Sequence, residues 1–342
     1  MFYFMMELKA RQRKILYWIV RSYIDTASPV GSHYLVDKYH LEWSPATVRN
    51  EMASLEEAGY IKQPHTSAGR VPTDKGYRLY VDSLMRVGQL SSKERERIDR
   101  RIEKAGGDVN LILGEASVIL GNISNELSVV LAPWVSWGIF DRLELIGLSE
   151  GKVLVVIHVR NRLVKTVILE ASSGLNEKDL EETAGVFNER LSGLTLEEIQ
   201  RTLRERMQNV NRGNRVLARR IIESASVLFN FSEPLEVHTC GAQNILAQPE
   251  FSDMSMLEHI FALIDDKKKL IHLFHRKFKS TEVTIGQENK DEKLRPFAVI
   301  AAAYMRGKDI GTLGVIGPTR MPYNRVVPLV DYMAKTISQF LS

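Results

Sequence analysis

SPATVRNEMASLEEAGYIKQPHTSAGRVPTDKGYRLY, from Ser44 to Tyr80, carries its own start and stop signals and predicts a helix, a two-stranded hairpin and a second helix. Ser44 suits an N-cap, and Pro45 suits the first helical position, where a missing N–H costs nothing. Gly59 closes the helix, because a residue without Cβ turns left-handed cheaply. Val48, Met52 and Leu55 fall on one face at helical spacing and predict the packed side. Ala46, Arg49, Asn50 and Ala53 fall opposite, so one arginine and one asparagine stand among small residues. Such a face fits deep in a major groove, where Arg pairs with guanine O6 and N7 and Asn with adenine N6 and N7. On an arbitrary helix an exposed Arg–Asn pair is simply a solvated surface. The neighbouring segments argue for more.

Upstream, Leu8 to Asp25 carries Ile15, Ile19 and Tyr23 at helical spacing. Thr26 to Pro29 breaks that helix, Val30 to Tyr39 predicts a short second one, and His40 to Trp43 turns into the third. Two short helices joined by a tight turn make the helix-turn-helix pattern. Downstream, Tyr60 to Gln63 and Arg70 to Val71 predict the hairpin strands around a tip, Pro64 to Gly69, rich in turn formers. Thr73 suits the cap of the next helix. The candidate DNA-contacting residues are therefore Ser44, Ala46, Thr47, Arg49 and Asn50 on the helix, with Lys62, His65 and Arg70 on the hairpin. Basic hairpin residues of this kind reach phosphates or the minor groove.

The strings PVGS (Pro29 to Ser32), ATVRNEM (Ala46 to Met52) and QPHTSAGRVPTDKGYR (Gln63 to Arg78) closely resemble the winged-helix domain of the HrcA family of bacterial heat-inducible transcription repressors. CGAQNIL (Cys240 to Leu246), PEFSD (Pro249 to Asp253), IGQEN (Ile285 to Asn289) and GVIGPTRMPY (Gly314 to Tyr323) extend the resemblance over nearly the whole chain. It implies an α+β multidomain protein. An N-terminal winged helix-turn-helix (1–88) would precede linker helices and the first part of a GAF-like α/β domain (89–172). An inserted helical and β dimerisation domain (173–250) and the rest of the GAF-like domain (251–342) would follow. The resemblance further implies repression of chaperonin and dnaK-type operons through double-stranded DNA carrying the inverted-repeat CIRCE operator. It names a homodimer as the binding form and the GroEL chaperonin as the partner that maintains activity. A ligand-gated regulator, with a small effector in the GAF-like domain, is the alternative.

The chain has 342 residues, 44% hydrophobic and 26% charged, enough for two or three ordinary globular domains. Net charge is only +4, and residues 1–90 hold 12 Lys/Arg against 9 Asp/Glu, or +3 of that total. The excess sits where DNA contact is expected but is modest, so tight binding should depend on dimerisation. A single cysteine, Cys240, leaves no intramolecular disulfide and fits a reducing cytosol. The apolar start MFYFMM is too short for a signal sequence, and no apolar run is long enough for a membrane span, so a cytoplasmic protein without membrane partners is expected.

Further along, helices are predicted over Lys93 to Lys104 and Val109 to Leu131, and strands over Arg142 to Leu148, Lys152 to Arg160 and Leu163 to Glu170. Helices around Asn176 to Leu191, Leu196 to Asn209 and Arg215 to Phe229 follow, then a strand at Leu235 to Cys240 and a helix at Met254 to Leu263. Lys269 to Phe274, Glu282 to Gly286, Phe297 to Tyr304 and Gly311 to Ile316 read as strands, and Tyr323 to Leu341 as a helix that Pro328 must perturb or delay. His238 and Cys240 share a strand face but lack a third orienting group, and His272 and His275 lack a carboxylate motif for metal. No Walker loop or dinucleotide fingerprint occurs, and GTLG at Gly311 to Gly314 lies inside a strand pattern. The chain is expected to be no enzyme and to carry no cofactor. Glu288–Asn289 and Thr319–Arg320 are the polar clusters left to place, as loop and helix-end bonding or as an effector surface.

Overall fold

A computed structural model describes residues 8–65, 68–134, 138–148, 151–160, 163–171, 174–208, 212–231, 236–274, 278, 280–307 and 309–342. The start MFYFMM, the turn at Asn161–Arg162, Pro234, His275 and the hairpin-tip residues Thr66 and Ser67 lie outside them. The fold is mixed α and β, in two compact units: Met1–Ala132 with Glu236–Arg306 and Gly311–Ser342, and Pro133–Leu235 with Gly307–Ile310.

The first unit opens with α1 (Ala10–Thr26), α2 (Ser32–Tyr39) and α3 (Pro45–Glu57), then an antiparallel pair, β1 (Ile61–Lys62) and β2 (Val71–Pro72), and α4 (Asp74–Leu79). Ala27 and His40, both left-handed, end α1 and α2. Next come α5 (Ser92–Lys104), α6 (Val109–Ser124) and β3 (Leu127–Trp134). Past the second unit's residues the chain continues with β7 (Val237–Cys240), α11 (Ala242–Leu246), α12 (Met254–Asp265) and α13 (Lys267–Phe274). β8 (Glu282–Ile285), β9 (Phe297–Arg306), β10 (Asp309–Pro318) and α14 (Tyr323–Phe340) complete it.

A five-stranded sheet in the order β7-β3-β10-β9-β8 organises this unit. Along β9, Ala298, Ile300, Ala302 and Tyr304 join one apolar cluster with α1–α3, α5, α6 and α14. The alternate residues Phe297, Val299 and Ala301 join another with α12 and α13. Burial on both faces explains why FAVIAAAY reads as a continuous apolar run. The glycines of GTLG serve close packing: a Cβ at Gly311 would lie 2.1 Å from the Tyr304 ring, and one at Gly314 2.1 Å from Ile300 O.

The second unit pairs β4 (Phe140–Leu148), β5 (Lys152–Val159) and β6 (Leu163–Glu170) as an antiparallel meander. α7 (Glu177–Leu191), α8 (Leu196–Arg206), α9 (Arg215–Glu223) and α10 (Ala225–Leu228) build its core with one sheet face. The strands 140–170 thus pack with the helices that follow them.

Three sequence expectations need correction. Val109 to Leu131 is not one helix: Asn125, left-handed at φ 62°, caps α6, and Leu127 begins β3. Leu127 and Leu131 happen to continue the i, i+4 stripe, which hid the stop. Lys269 to Phe274 is helical, not extended, because Leu270 and Phe274, four apart, are the buried pair. Pro328 neither breaks nor delays α14. It lacks the N–H that would bond the Asn324 carbonyl, and Gly88 N–H takes that acceptor at 2.8 Å. A Cβ at Gly88 would sit 2.8 Å from that oxygen.

Candidate nucleic-acid interface

The outward face of α3 is made by its local chemistry. Ser44 Oγ accepts the Thr47 N–H at 3.2 Å, and Pro45 occupies the first turn. Val48, Met52 and Leu55 are 0%, 4% and 0% exposed, each burial stabilising by about 1.5–3 kcal/mol. Ala46, Arg49, Asn50 and Ala53 are exposed. The Arg49 and Asn50 side chains have no partner among the described residues, so their donors and acceptors face solvent. Ser44 and Thr47 are 3.0 Å apart through their hydroxyls and serve the cap.

Lys62 and His65 are exposed on the hairpin. Arg70 is held differently: its Nη2 pairs with Glu56 Oε2 at 2.8 Å, while Gln63 N–H donates to the other Glu56 oxygen at 2.9 Å. Glu56, at the end of α3, therefore ties helix to hairpin, a role that its place in an ordinary charged run gave no sign of. Val30 and Arg70 exchange backbone hydrogen bonds of 2.9 and 2.8 Å. That crossing needs Gly69, whose Cβ would lie 2.5 Å from the Val30 carbonyl carbon. The structure thus brings Arg49 and Arg70 to one open cleft of about 390 Å³, lined also by Gly31, Ser32 and His33. Lys62 and His65 are not part of it. Sequence reasoning also missed Trp43, with Arg11 and Lys14 each 5.3 Å from its ring centre.

The polar clusters at Glu288–Asn289 and Thr319–Arg320 are internal ties. Arg320 donates from Nε to Glu250 Oε1 at 2.5 Å and from Nη1 to the Ile24 carbonyl at 2.6 Å. Arg78 forks onto Glu288 and reaches Val283 O at 2.6 Å, and Gln287 N–H donates to Asp74 Oδ2 at 3.0 Å. Asn289, 5% exposed, bonds Leu294 O and Phe297 O. Thr319 O accepts from Tyr323. Nearby Glu126, 2% exposed, accepts from Gln248 Nε2 at 2.9 Å. Burial pushes its carboxyl up to about 8, against the opposing pull of Gln248 and Arg320. Among the described residues no group of three or more metal-ligating side chains occurs, and no helix is long and apolar enough to cross a membrane.

Comparison with known proteins identifies the scaffold. The profile of the HrcA protein C terminal domain matches residues 110–327. The heat-inducible transcription repressor HrcA of Chlorobium phaeobacteroides (strain BS1) is 41% identical over 98% of this chain and 99% of its own. That of Chlorobium chlorochromatii (strain CaD3) is 40% identical over 98% of each. A crystal structure described as that of a hypothetical protein aligns with a TM-score of 0.60 at 28% identity, covering 98% of this chain and 99% of that one. The chain belongs to the HrcA family of heat-inducible transcription repressors.

Proposed function

We propose that residues 8–84 are a winged helix-turn-helix that reads double-stranded DNA, with α3 as the recognition helix and β1–β2 as the wing. The observation that carries this is the α3 face, where Arg49 and Asn50 stand exposed and without partners among the described residues, between Ala46 and Ala53. Ser44 and Thr47 set the helix start, Arg49 and Asn50 address base edges, and Lys62, His65 and Arg70 address the backbone. The five-stranded sheet with helices on both sides is the GAF-like domain of this reading, and the second unit is the inserted dimerisation domain.

Dimerisation finds support on the outer face of the β4–β6 sheet. Ile146, Leu154 and Ile168 stand in register across its three strands, and Ile146 and Ile168 are 47% and 59% exposed, beside exposed Leu148 and Val164. An apolar sheet face of this kind, self-complementary about a two-fold axis, suits a second copy of the chain. A symmetric dimer reads an inverted repeat, and the family resemblance names it as the CIRCE element ahead of chaperonin and dnaK-type operons. The same resemblance supports a GroEL-type chaperonin as the partner that keeps the repressor active and a cytoplasmic site of action.

Footprinting on the organism's own chaperonin promoter tests the reading: protection of two symmetric half-sites is expected, and none on either strand would end it. Repressor that stays operator-bound well above growth temperature without chaperonin would remove the chaperonin role.

A further inference from the structure

We propose that Glu126 is a proton-operated latch on the DNA-reading segment: protonated, it leaves Arg320 bonded to the end of α1, and ionised, it draws Arg320 away. Its effect on DNA rests on the winged-helix reading, whereas the latch itself is built from contacts within the first unit.

The carboxyl is placed by its backbone. Glu126 stands between the end of α6 and the start of β3, with its N–H donating to Ser124 Oγ at 3.2 Å. Two glycines make room for it. A Cβ at Gly317 would lie 2.1 Å from Glu126 Oε2, and one at Gly241 would lie 2.2 Å from the Glu126 carbonyl oxygen. The residue is 2% exposed, and its hydrogen-bond donor among the described residues is a neutral amide, Gln248 Nε2, at 2.9 Å. Burial with a neutral donor favours the acid form, which pushes this carboxyl up to about 8.

The groups that face it leave one cation to respond. Arg320, beyond β10, attracts the carboxylate, and Glu250 repels it. α14 contributes Tyr323, while α1 and α4 bring Tyr23 and Tyr77 to Arg320 and Glu250. Burial holds all three phenols above their ordinary range, so they stay neutral where the carboxyl titrates. α6 and the start of α11 offer Ser124 and Gly241, neither of which titrates.

Arg320 divides its donors. Nε and Nη2 fork onto Glu250 at 2.5 and 3.1 Å, and Nη1 gives the 2.6 Å bond to the Ile24 carbonyl. With Glu126 protonated, one guanidinium balances one carboxylate. Ionisation sets two carboxylates against it; the proton leaves to solvent and the guanidinium keeps its own. A carboxylate outcompetes a neutral carbonyl for a charged donor, so the Ile24 bond is the one given up. Ile24 lies in the last turn of α1, next to the Tyr23 carbonyl that receives the closing Ala27 N–H at 2.9 Å. Release of Ile24 therefore loosens the end of α1.

Hydrogen exchange of residues 24–31 tests the latch, with wild type beside Glu126→Gln at each pH so that the intrinsic pH dependence cancels. The variant holds the neutral form. Wild type should match it near pH 6.5 and exchange about ten-fold faster near pH 9, with a midpoint near 8. Over the same range wild-type operator affinity should fall about ten-fold relative to the variant. In wild type alone, the infrared band of a buried protonated carboxyl should vanish with the same midpoint, which keeps the test valid if the variant does not fold. A constant exchange ratio, faster exchange spread evenly over the first unit, a constant affinity ratio, or a band that persists to about pH 9 would each overturn the latch. Wild type that binds no duplex at any pH would overturn DNA reading instead, and the exchange ratio would still decide whether Glu126 governs the end of α1.

Discussion

At the scale of single residues, the two kinds of DNA contact proposed here should fail in different ways. Arg49→Ala should cost about 1–3 kcal/mol and relax specificity at one base position, whereas Lys62→Ala should weaken all sequences alike and lower the salt slope by about one ion. Binding curves on operator and scrambled duplex at several salt concentrations separate them; equal losses on both duplexes from Arg49→Ala would make it a backbone contact. Glu126 governs a different observable. In the unfolded chain its carboxyl ionises near the ordinary value of about 4.3, but in the folded chain burial holds the proton up to about 8. Between those values the folded state carries the extra proton, so this group's contribution is complete below about pH 4 and is lost as pH rises to about 8. Unfolding free energies from pH 5 to 8 should therefore fall more steeply in the wild type than in Glu126→Gln, and parallel curves would contradict it.

At the scale of elements, the start of the chain was legible because its signals are local. Ser44, Pro45 and Thr73 cap or open helices as their side chains dictate, and period 3.6 selects the buried face of α3. Legibility failed where distant partners decide. KKKLIHLF is too short for its period to be unambiguous, and Asn125 is a weaker stop signal than glycine. Pro328 strands a carbonyl that Gly88, far off in sequence, takes up. The proposed DNA contacts on α3 could be read from spacing, while the cleft behind them depends on Glu56, Gly69 and Val30 meeting in space. The β4–β6 face gives an element-scale test. Ile168→Asp puts a charge among its exposed apolar side chains and should shift sedimentation toward monomer with little change in unfolding temperature, because the side chain is already exposed. An unchanged dimer would move the interface elsewhere.

At the scale of the whole molecule, strings that carry the family resemblance yet lie far from α3 meet behind it. TDKGYR supplies Asp74 and Arg78 to IGQEN, and GPTR supplies Arg320 to Glu250 of PEFSD and to the end of α1. Arg320→Ala strands a largely buried carboxylate and the Ile24 carbonyl, and should cost about 3 kcal/mol. Limited proteolysis should then cut near residues 26–31 faster than in the wild type; equal rates and equal stability would show that the tie is dispensable. These ties also set a schedule. Ile24 and Arg320 are 296 positions apart, and Arg78 and Glu288 are 210 apart. At about 5–20 residues per second, a ribosome delivers Arg320 roughly 15–60 s after Ile24. During synthesis the first helices must wait, with the apolar surface meant for β9, β10 and α14 uncovered, until those three elements have been made.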